Sequence, residues 1–258
     1  MTIGFLGTGT ITSAIVTGLS ADGGTRPAIR LSPRNAAVAS GLAARFGNVR
    51  ACASNQEVLD ECDTAVIAVR PQVAEEVLSA LGFSSGHAVI SLVAGFSARR
   101  IAELVKPAAR IWRAVPLPSV AQRRGPIAVF PARGTAVDLF QPLGQVFGLE
   151  AEAHLNAFSA ATSTMAAYFG FIGQIASWLA GKGIPEQQAR EYMAGIFAGL
   201  ADAGLEASER TYEELATAHA TRGGLNEQLL RDLTERGVFR TLTEGLDAVY
   251  RRAAAQSA

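Results

Sequence analysis

The fold of this chain is decided by its first residues, Thr2-Ile3-Gly4-Phe5-Leu6-Gly7-Thr8-Gly9-Thr10-Ile11. The apolar run of Ile3, Phe5 and Leu6 is typical of a strand that is buried on both faces. Gly7 and Gly9 follow at once, and from Ile11 onwards apolar residues recur at helical spacing. The order is therefore a strand, a glycine turn and a helix.

That glycine turn predicts a nucleotide-binding site. A turn this tight needs a residue that can adopt a positive φ, and a diphosphate can approach the backbone only where no Cβ is present. The helix that begins there directs unpaired N–H groups and the positive end of its dipole at the phosphates. Contacts to the cofactor are expected at Gly7, Thr8, Gly9, Thr10 and Ile11. Thr12 replaces the third glycine of the usual dinucleotide pattern, and an ordinary glycine-rich turn is the alternative interpretation.

The composition allows a sizeable core and argues against several classes of protein. The chain has 258 residues, 49% of them hydrophobic, which is enough for one large domain or two modest ones. Its formal net charge of +0 at pH 7 argues against a nucleic acid or an acidic membrane as partner. Cys52 and Cys62 can build neither a disulfide framework nor a metal cluster. The N-terminus lacks the basic region of a secretion signal, so we expect a cytoplasmic protein.

Residues 155–181 contain no charged side chain and are long enough to span a bilayer. They also carry many polar residues, namely Asn156, Ser159, Thr162, Ser163, Thr164, Gln174 and Ser177. Such a polar content is high for a lipid-facing helix and favours a helix buried all round by protein. Because a monomer of this size rarely buries one helix completely, we expect it in the interface of a homo-oligomer.

The end of the second predicted strand indicates which dinucleotide binds. Residues 28–31 lead into Ser32-Pro33-Arg34-Asn35. In sites that prefer NAD, an acidic residue at this place binds the ribose 2′-OH. Here Ser32 and Arg34 offer a hydroxyl and a guanidinium, and a guanidinium suits a phosphate dianion. The pattern favours NADP over NAD, and the alternative is that Arg34 is an ordinary solvated loop residue.

Strand and helix patterns alternate through the first part of the chain. Further strands are predicted at residues 49–51, 64–69, 87–93, 111–115 and 127–130, the last as a candidate edge strand. Helices are predicted at residues 36–46, 55–59, 73–81 and 98–104. Such alternation indicates a doubly wound parallel sheet, whose ligands bind at the carboxyl ends of the strands. These ends are the loops at Gly7, Ser32, Arg70-Pro71, Ala94-Gly95 and Pro116.

From about residue 152 the strand runs disappear and alanine-rich helical periodicity replaces them. Helices are predicted at residues 153–179, 185–203, 211–217, 225–235 and 239–255. We therefore expect an α/β protein with two domains. A dinucleotide-binding domain over residues 1–152 precedes an all-helical domain over residues 153–258.

Several motifs together resemble the pyrroline-5-carboxylate reductases of proline synthesis. They cover nearly the whole chain: Gly4-Phe5-Leu6-Gly7-Thr8-Gly9, Ser32-x-Arg34, Asn55-Gln56-Glu57-Val58, Val66 to Gln72, Ser91-x-x-Ala94-Gly95-x-Ser97, Arg113-x-x-Pro116, Ala167-Tyr168, Gly183-Ile184-Pro185, Gly223-Gly224 and Gly237 to Arg240. The resemblance implies an NADPH-binding Rossmann domain and a helical domain that dimerises by interleaving helices. It implies further cofactor contacts at Asn55, Ala68, Val69, Arg70, Pro71, Ala94 and Gly95, and an active site shared with the neighbouring subunit.

The chain departs from that family in the residues that would meet the substrate. Leu117 follows Pro116 where the family has an asparagine, and Met165 replaces a glycine. Arg222 stands where the family has a proline, ahead of Gly223-Gly224, whose backbone amides hold the substrate carboxylate in the family. Arg222 is either a partner for that carboxylate or a solvated residue. The cofactor half is conventional, whereas the predicted pocket is smaller and more apolar.

Reduction of a C=N bond needs the carbon about 3–3.5 Å from the nicotinamide and a proton on the nitrogen. In the family a threonine at the place of Asn226 donates a hydrogen bond to that nitrogen. Asn226 is a poorer proton source, and its alternative role is in the first turn of a helix. The hydroxyls of Thr221, Thr164 and Tyr168 are other candidates, although the last two also suit helix packing.

The sequence thus predicts an NADPH-dependent reductase of a cyclic imine, similar to pyrroline-5-carboxylate reductase but with a substituted pocket. One rival is an NADP-binding dimer without turnover, because several substrate positions differ from the family. Another rival is reduction of a different imine or a carbonyl substrate. No metal site is expected, because His87, His154 and His219 have no carboxylate or cysteine at ligand spacing.

Overall fold

A computed structural model describes residues 1–21 and 26–257 of the chain, with side chains up to residue 255. Contacts divide it into two compact units, Met1–Ser159 with the C-terminal segment from Tyr250, and Ala160–Val249. The first unit is built on a sheet and the second on helices, which confirms the predicted fold class. This division falls inside the helix that begins at Ala153, so the functional boundary at 152/153 stays a prediction.

The sheet unit holds an eight-stranded sheet of order β3-β2-β1-β4-β5-β6-β7-β8. Its strands are β1 Thr2–Leu6, β2 Ala28–Leu31, β3 Val49–Ala51, β4 Thr64–Ile67, β5 Ala88–Ser91, β6 Arg110–Val115, β7 Pro126–Phe130 and β8 Gln145–Gly148. Its helices are α1 Thr10–Ser20, α2 Ala36–Arg45, α3 Asn55–Asp60, α4 Pro71–Ser79, α5 Ala98–Leu104 and α6 Thr135–Phe140. Two short 3-10 helices, Pro118–Gln122 and Gln141–Leu143, complete it.

The predicted sheet is correct over six strands and differs at its last two. β3 to β6 run parallel, but β7 pairs antiparallel with β6. The connection from Val115 to Pro126 contains only a 3-10 helix, which is too short for a parallel crossover. β7 is not an edge strand either, because β8 pairs with its far side. The sequence pattern predicts neither α6 nor β8, because both elements are too short to show a period.

The core lies on both faces of the sheet, as the apolar first strand predicts. Ile3 and Phe5 pack into one cluster with residues of α1 and α2, whereas Leu6 belongs to the opposite cluster with residues of α3, α4 and α5. All three side chains are completely buried. This alternation is what a doubly wound sheet requires of its central strand.

The second part of the chain is helical, with α7 Ala153–Thr162, α8 Thr164–Ala180, α9 Glu186–Glu206, α10 Tyr212–His219, α11 Leu225–Glu235 and α12 Val238–Ser257. The uncharged stretch is therefore two helices and not one. At the break, the Ser163 hydroxyl donates to the Ala160 carbonyl and the Thr164 hydroxyl to the Ala161 carbonyl. Hydroxyls that bond the preceding turn in this way compete with regular helix bonding. Within the described residues, none of the helices meets the length and hydropathy needed to cross a bilayer.

The helical unit buries little of its own apolar surface. Its small core contains Ala176, Ala189 and Met193, with Ile175, Leu179 and Phe197 packed against them. Large apolar side chains of α8 remain exposed, including Phe169 at 68% and Trp178 at 59%. α10 and α11 have no buried residue in the single chain. An apolar surface of this extent marks an interaction site.

Candidate active site

The carboxyl ends of β1, β2, β4, β5 and β6 meet at one edge of the sheet, because these strands are parallel. Backbone bonds tie the loops that leave them together. The Ala68 N–H donates to the Leu6 carbonyl at 2.8 Å, and the Leu92 N–H donates to the Ile67 carbonyl at 2.9 Å. The loops predicted to hold the cofactor therefore share one rigid edge.

The two glycines of the first loop differ in what surrounds them. Gly7 has a φ of 103°, and a Cβ there would lie 2.6 Å from the Ala68 carbonyl oxygen. Only glycine fits both the conformation and the space. Gly9 precedes α1, and apart from its chain neighbours no atom of the described residues lies within 4 Å of a Cβ built on it. The protein leaves this side of Gly9 open, as a bound diphosphate requires.

Buried hydroxyl groups hold the glycine loop in place. The Gly7 N–H donates to the Ser32 Oγ at 2.8 Å, and the Thr8 hydroxyl donates to the Ser32 carbonyl at 2.8 Å. Thr12, which replaces the third glycine, donates through its hydroxyl to the Gly7 carbonyl at 2.7 Å. These bonds pre-organise the backbone that would face the diphosphate.

Ser32, the predicted cofactor contact, lies behind the glycine loop, and its role at the 2′-phosphate stays a prediction. Its side chain is completely buried and already occupied by the glycine loop. Arg34 is exposed, and Asn35 precedes α2 without a side-chain cap bond. An exposed guanidinium beside a helix N-terminus is the combination that suits a 2′-phosphate.

The remaining expected cofactor residues lie on loops at the same edge. Ala68, Val69 and Pro71 are half-buried, Arg70 is exposed, and α4 begins at Pro71. Asn55 is the first residue of α3, and the predicted cap Ser54 accepts a hydrogen bond from the Glu57 N–H. Ala94 is exposed beside Gly95, whose φ is 75°.

A partly buried ion pair, which the sequence pattern did not predict, supports this edge. Arg113, at the end of β6, is 5% exposed, and its guanidinium lies 2.8 Å from Glu152. The same carboxylate oxygen accepts from the Ala98 N–H at 2.6 Å, where α5 begins. Glu152 thus connects β6 to the helix that follows the Ala94-Gly95 loop. It lies 39 positions from Arg113, so no local pattern pointed to the pair.

Asn226, the candidate donor to the substrate nitrogen, uses one of its two amide hydrogens within its own chain, and its role at the substrate stays a prediction. It is the second residue of α11, and its Nδ2 donates to the His219 carbonyl at 2.9 Å, at the end of α10. This is the first-turn role that the sequence left open. Among the proposed donors, Thr164 is also occupied, because its hydroxyl donates to the Ala161 carbonyl.

The predicted substrate loop leads into α11. Thr221 and Arg222 are exposed, and neither side chain has a hydrogen bond or ion pair to any described residue. The Gly224 N–H donates to the Thr221 carbonyl at 2.8 Å, and the Gly223 N–H donates to the Glu227 carboxylate at 2.7 Å. Both N–H groups that the sequence assigned to a substrate carboxylate therefore have partners in this chain.

Tyr168 lies in an aromatic cluster of the helical unit. Its ring centroid is 5.3 Å from that of Phe169 and 5.8 Å from that of Phe197. It also lines a largely apolar cavity of 510 Å³ whose other walls include Leu200, Leu215 and His219. Met165, one turn earlier on α8, is 44% exposed.

Leu117 lies on the sheet unit, half-buried, immediately before the 3-10 helix that begins at Pro118. The structure therefore gathers the expected cofactor residues at one sheet edge. The residues expected near the substrate lie mainly on α8 and around the start of α11. No cluster of potential metal ligands occurs within the described residues.

Two family models match the chain, one in its N-terminal part and one in its C-terminal part. A family model described as NADP oxidoreductase, coenzyme F420-dependent, matches residues 2–95. A second model, described as pyrroline-5-carboxylate reductase dimerisation, matches residues 152–256.

Relatives match over almost the whole chain. Pyrroline-5-carboxylate reductase of Vibrio alginolyticus is 25% identical over 262 residues, covering 97% of this chain and 96% of that protein. The enzyme of that name from Escherichia coli is 28% identical over 255 residues, covering 95% and 94%. The crystal structure of 1-pyrroline-5-carboxylate reductase from Streptococcus pyogenes superposes with a TM-score of 0.85 at 25% identity, covering 99% and 98%. From the two family models, the full-length relatives and the matching structure, the chain belongs to the pyrroline-5-carboxylate reductase family.

Proposed function

We propose that the protein is an NADPH-dependent reductase of a cyclic imine whose substrate pocket differs from that of its relatives. The main support is that the chain matches nearly the full length of proteins named pyrroline-5-carboxylate reductase. The two family models match its N-terminal and C-terminal parts. Bound NADPH supplies a hydride, so that a protonated imine and NADPH give the saturated amine and NADP⁺.

The chain's own residues fit that cofactor. The open space beside Gly9 and the N-terminus of α1 would accept the diphosphate. Ser32 and Thr12 hold the loop, and Arg34 with the start of α2 would bind the 2′-phosphate. Arg70 and the residues beside it would line the nicotinamide side, as the motif in the family implies.

Thr221 and Tyr168 are the remaining candidates for a proton donor. Thr164 uses its hydroxyl hydrogen on a backbone carbonyl and Asn226 uses one of its two amide hydrogens, whereas the Thr221 hydroxyl is exposed and has no bond to a described residue. An imine that arrives protonated from water needs no donor, and then Thr221 only orients the nitrogen.

We propose a homodimer in the cytoplasm as the active form. The exposed apolar side chains of α8 and α9 provide a surface that a second copy would cover. The region matched by the dimerisation model contains both helices. An obligate interface of this kind buries more than about 2,000 Å².

The test is an NADPH-oxidation assay with 1-pyrroline-5-carboxylate beside a panel of cyclic imines that lack the carboxylate. We expect weak turnover of 1-pyrroline-5-carboxylate and a higher kcat/KM for more apolar imines, because Leu117 and Met165 remove space and donors. A kcat/KM for 1-pyrroline-5-carboxylate in the ordinary range of about 10⁴–10⁸ M⁻¹s⁻¹ would show that these departures are tolerated. NADPH binding without oxidation by any imine would favour the non-catalytic dimer.

Exchanging residues tests the pocket directly. Leu117→Asn together with Asn226→Thr should raise proline formation, since one restores a donor and the other a hydroxyl near the ring nitrogen. Asn226→Thr also removes the bond to the His219 carbonyl. Thermal unfolding of each variant therefore serves as the control for damage to the start of α11.

A further inference from the structure

The loop between β5 and α5 carries two of the expected cofactor contacts, Ala94 and Gly95. Ala94 is exposed, and Gly95 has a φ of 75°. On either side of them, Val93 and Phe96 are buried in the core of the sheet unit. This apolar burial fixes how deep the loop lies, but it is not directional and does not orient the exposed peptide groups between the two side chains.

Hydrogen bonds, which are directional, fix the two ends of this loop. At its start, the Val93 N–H donates to the Ser91 Oγ at 3.2 Å. At its end, the Ala98 N–H donates to the Glu152 carboxylate at 2.6 Å. Ser91 and Arg113, the ion-pair partner of Glu152, lie opposite each other in the pairing of β5 with β6. Both ends of the loop are therefore connected to one position of the sheet.

Glu152 reaches the loop from a distant part of the chain, between β8 and α7. The Leu149 N–H, just after β8, donates to the Val129 carbonyl at 2.8 Å. Leu149 and Leu155 are both buried and pack in one cluster with Ala128 of β7. The backbone that carries Glu152 is thus anchored on both sides by buried leucines, so its carboxylate approaches α5 from a fixed point.

Arg113 fixes the direction of that carboxylate. The Arg113 side chain is 7% exposed and the Glu152 side chain 29%, and their charged groups lie 2.8 Å apart. The Oε1 atom that binds Arg113 also accepts the Ala98 N–H. An ion pair as buried as this one adds little net stability, because the cost of desolvation offsets the attraction. Its structural consequence is the orientation of the oxygen that holds the end of the loop.

We propose that Glu152 is a positioning residue for the cofactor, because its bond to the Ala98 N–H keeps the loop between β5 and α5 in the conformation that binds NADPH. This rests on the proposed function, in which that loop contacts NADPH. When a loop is in its binding conformation for only part of the time, the apparent affinity falls by that fraction. Glu152 therefore acts on cofactor affinity, and the chemical step at saturating NADPH does not depend on it.

Two double variants separate the hydrogen bond from the charge. Arg113→Met with Glu152→Gln removes the ion pair but keeps an oxygen acceptor for the Ala98 N–H. Arg113→Met with Glu152→Met removes both the ion pair and the acceptor, with an unbranched side chain of similar length. Apolar replacement of a buried ion pair is often neutral for stability, so we expect both proteins to fold. Thermal unfolding checks this.

The decisive measurement is NADPH affinity by fluorescence titration. The double variant with Glu152→Gln should bind NADPH about tenfold more tightly than the one with Glu152→Met, as expected if the released loop is in its binding conformation about one tenth of the time. In an assay with an imine, the KM for NADPH should differ by the same factor, while kcat at saturation should agree within about twofold. A purely structural role would lower the unfolding temperature without this split.

Hydrogen exchange followed by mass spectrometry locates the effect without any turnover. Residues 93–98 should exchange faster in the double variant with Glu152→Met than in the one with Glu152→Gln. The glycine loop at residues 7–12, which is held by Ser32 and Thr12, is the control and should exchange equally in both.

Equal NADPH affinities of the two double variants would overturn the proposal, because the acceptor at position 152 would then have no effect on cofactor binding. If the proteins with Arg113→Met do not fold, Glu152→Gln and Glu152→Met alone give the same comparison. If the unmodified protein binds NADPH but oxidises it with no imine, the proposed reductase is contradicted. The affinity comparison then still decides the role of Glu152.

Discussion

The two units of this protein differ in how far they bury their large apolar side chains. In the sheet unit Phe5 and Phe140 are completely buried, whereas in the helical unit Phe169 and Tyr192 are 68% and 65% exposed. The sheet unit closes its core within one chain, on both faces of the sheet. The helical unit has only a small core of its own. One chain therefore completes the core under the predicted cofactor loops, whereas the helical unit leaves an apolar surface that a homo-oligomer would cover.

The largest expected effect comes from placing a charge on the exposed surface of the helical unit. Phe169→Asp should dissociate the proposed dimer, because a charge in an apolar interface is costly and a symmetric dimer carries it twice. We expect a loss of about 4 kcal/mol or more in dimerisation free energy, measured by analytical ultracentrifugation over a concentration series.

The same variant tests whether the sheet unit folds and binds NADPH independently of the helical unit. NADPH affinity, measured by fluorescence titration, should stay within about threefold if the sheet unit folds by itself, a change of less than about 1 kcal/mol. A dimer that persists unchanged would show that α8 lies outside the interface. Loss of cofactor binding together with the dimer would show that the units are not independent.

A smaller effect is expected from the glycine loop of the sheet unit. Gly7→Ala forces a positive φ on alanine and places its Cβ against the Ala68 carbonyl. It should cost at least about 2 kcal/mol of unfolding free energy and abolish NADPH binding. The matched variant Gly9→Ala should change stability by less than about 1 kcal/mol, because its φ is −103° and its surroundings are open. If Gly9→Ala leaves NADPH affinity unchanged, the diphosphate lies elsewhere.

Arg34 tests the cofactor preference on the same unit. Arg34→Ala should weaken NADPH binding by about 1–3 kcal/mol and leave NADH binding unchanged, as expected for loss of a hydrogen bond to a charged group. Arg45, at the other end of α2, lies 4.7 Å from the Phe46 ring and is the control. Equal losses for both cofactors in a calorimetric titration would remove Arg34 from the 2′-phosphate.

The smallest expected effect is in the chemical labelling of Cys62, a buried thiol in the core of the sheet unit. Burial raises the pKa of the Cys62 thiol to about 12 from 9.0. At pH 8 only about one thiol in ten thousand is then ionised, so iodoacetamide should not label native Cys62 within an hour. Because folding raises this pKa, its contribution to stability is complete below pH 9 and falls as the pH rises towards 12. Rapid labelling detected by mass spectrometry would mean that this core opens locally.

Much of the sheet unit could be predicted because its signals are local. The run Ile3 to Leu6 and the glycines at 7 and 9 define a strand and a turn within a few residues. β2, β3 and α5 have the predicted bounds for the same reason. The antiparallel β7 could not be predicted, because strand direction depends on a connection that lacks a helix.

The candidate site, like the fold, could be predicted from the sequence only in part. The sequence by itself determined the residue types at the cofactor edge, since close backbone approach requires glycine and a 2′-phosphate suits an arginine. Only the tertiary structure decided which polar groups are available. It buried Ser32 behind Gly7, paired Arg113 with Glu152, and occupied the Gly223 N–H with Glu227. The reason is physical: a residue's chemistry is encoded at its own position, but its hydrogen-bond partners are brought to it by folding.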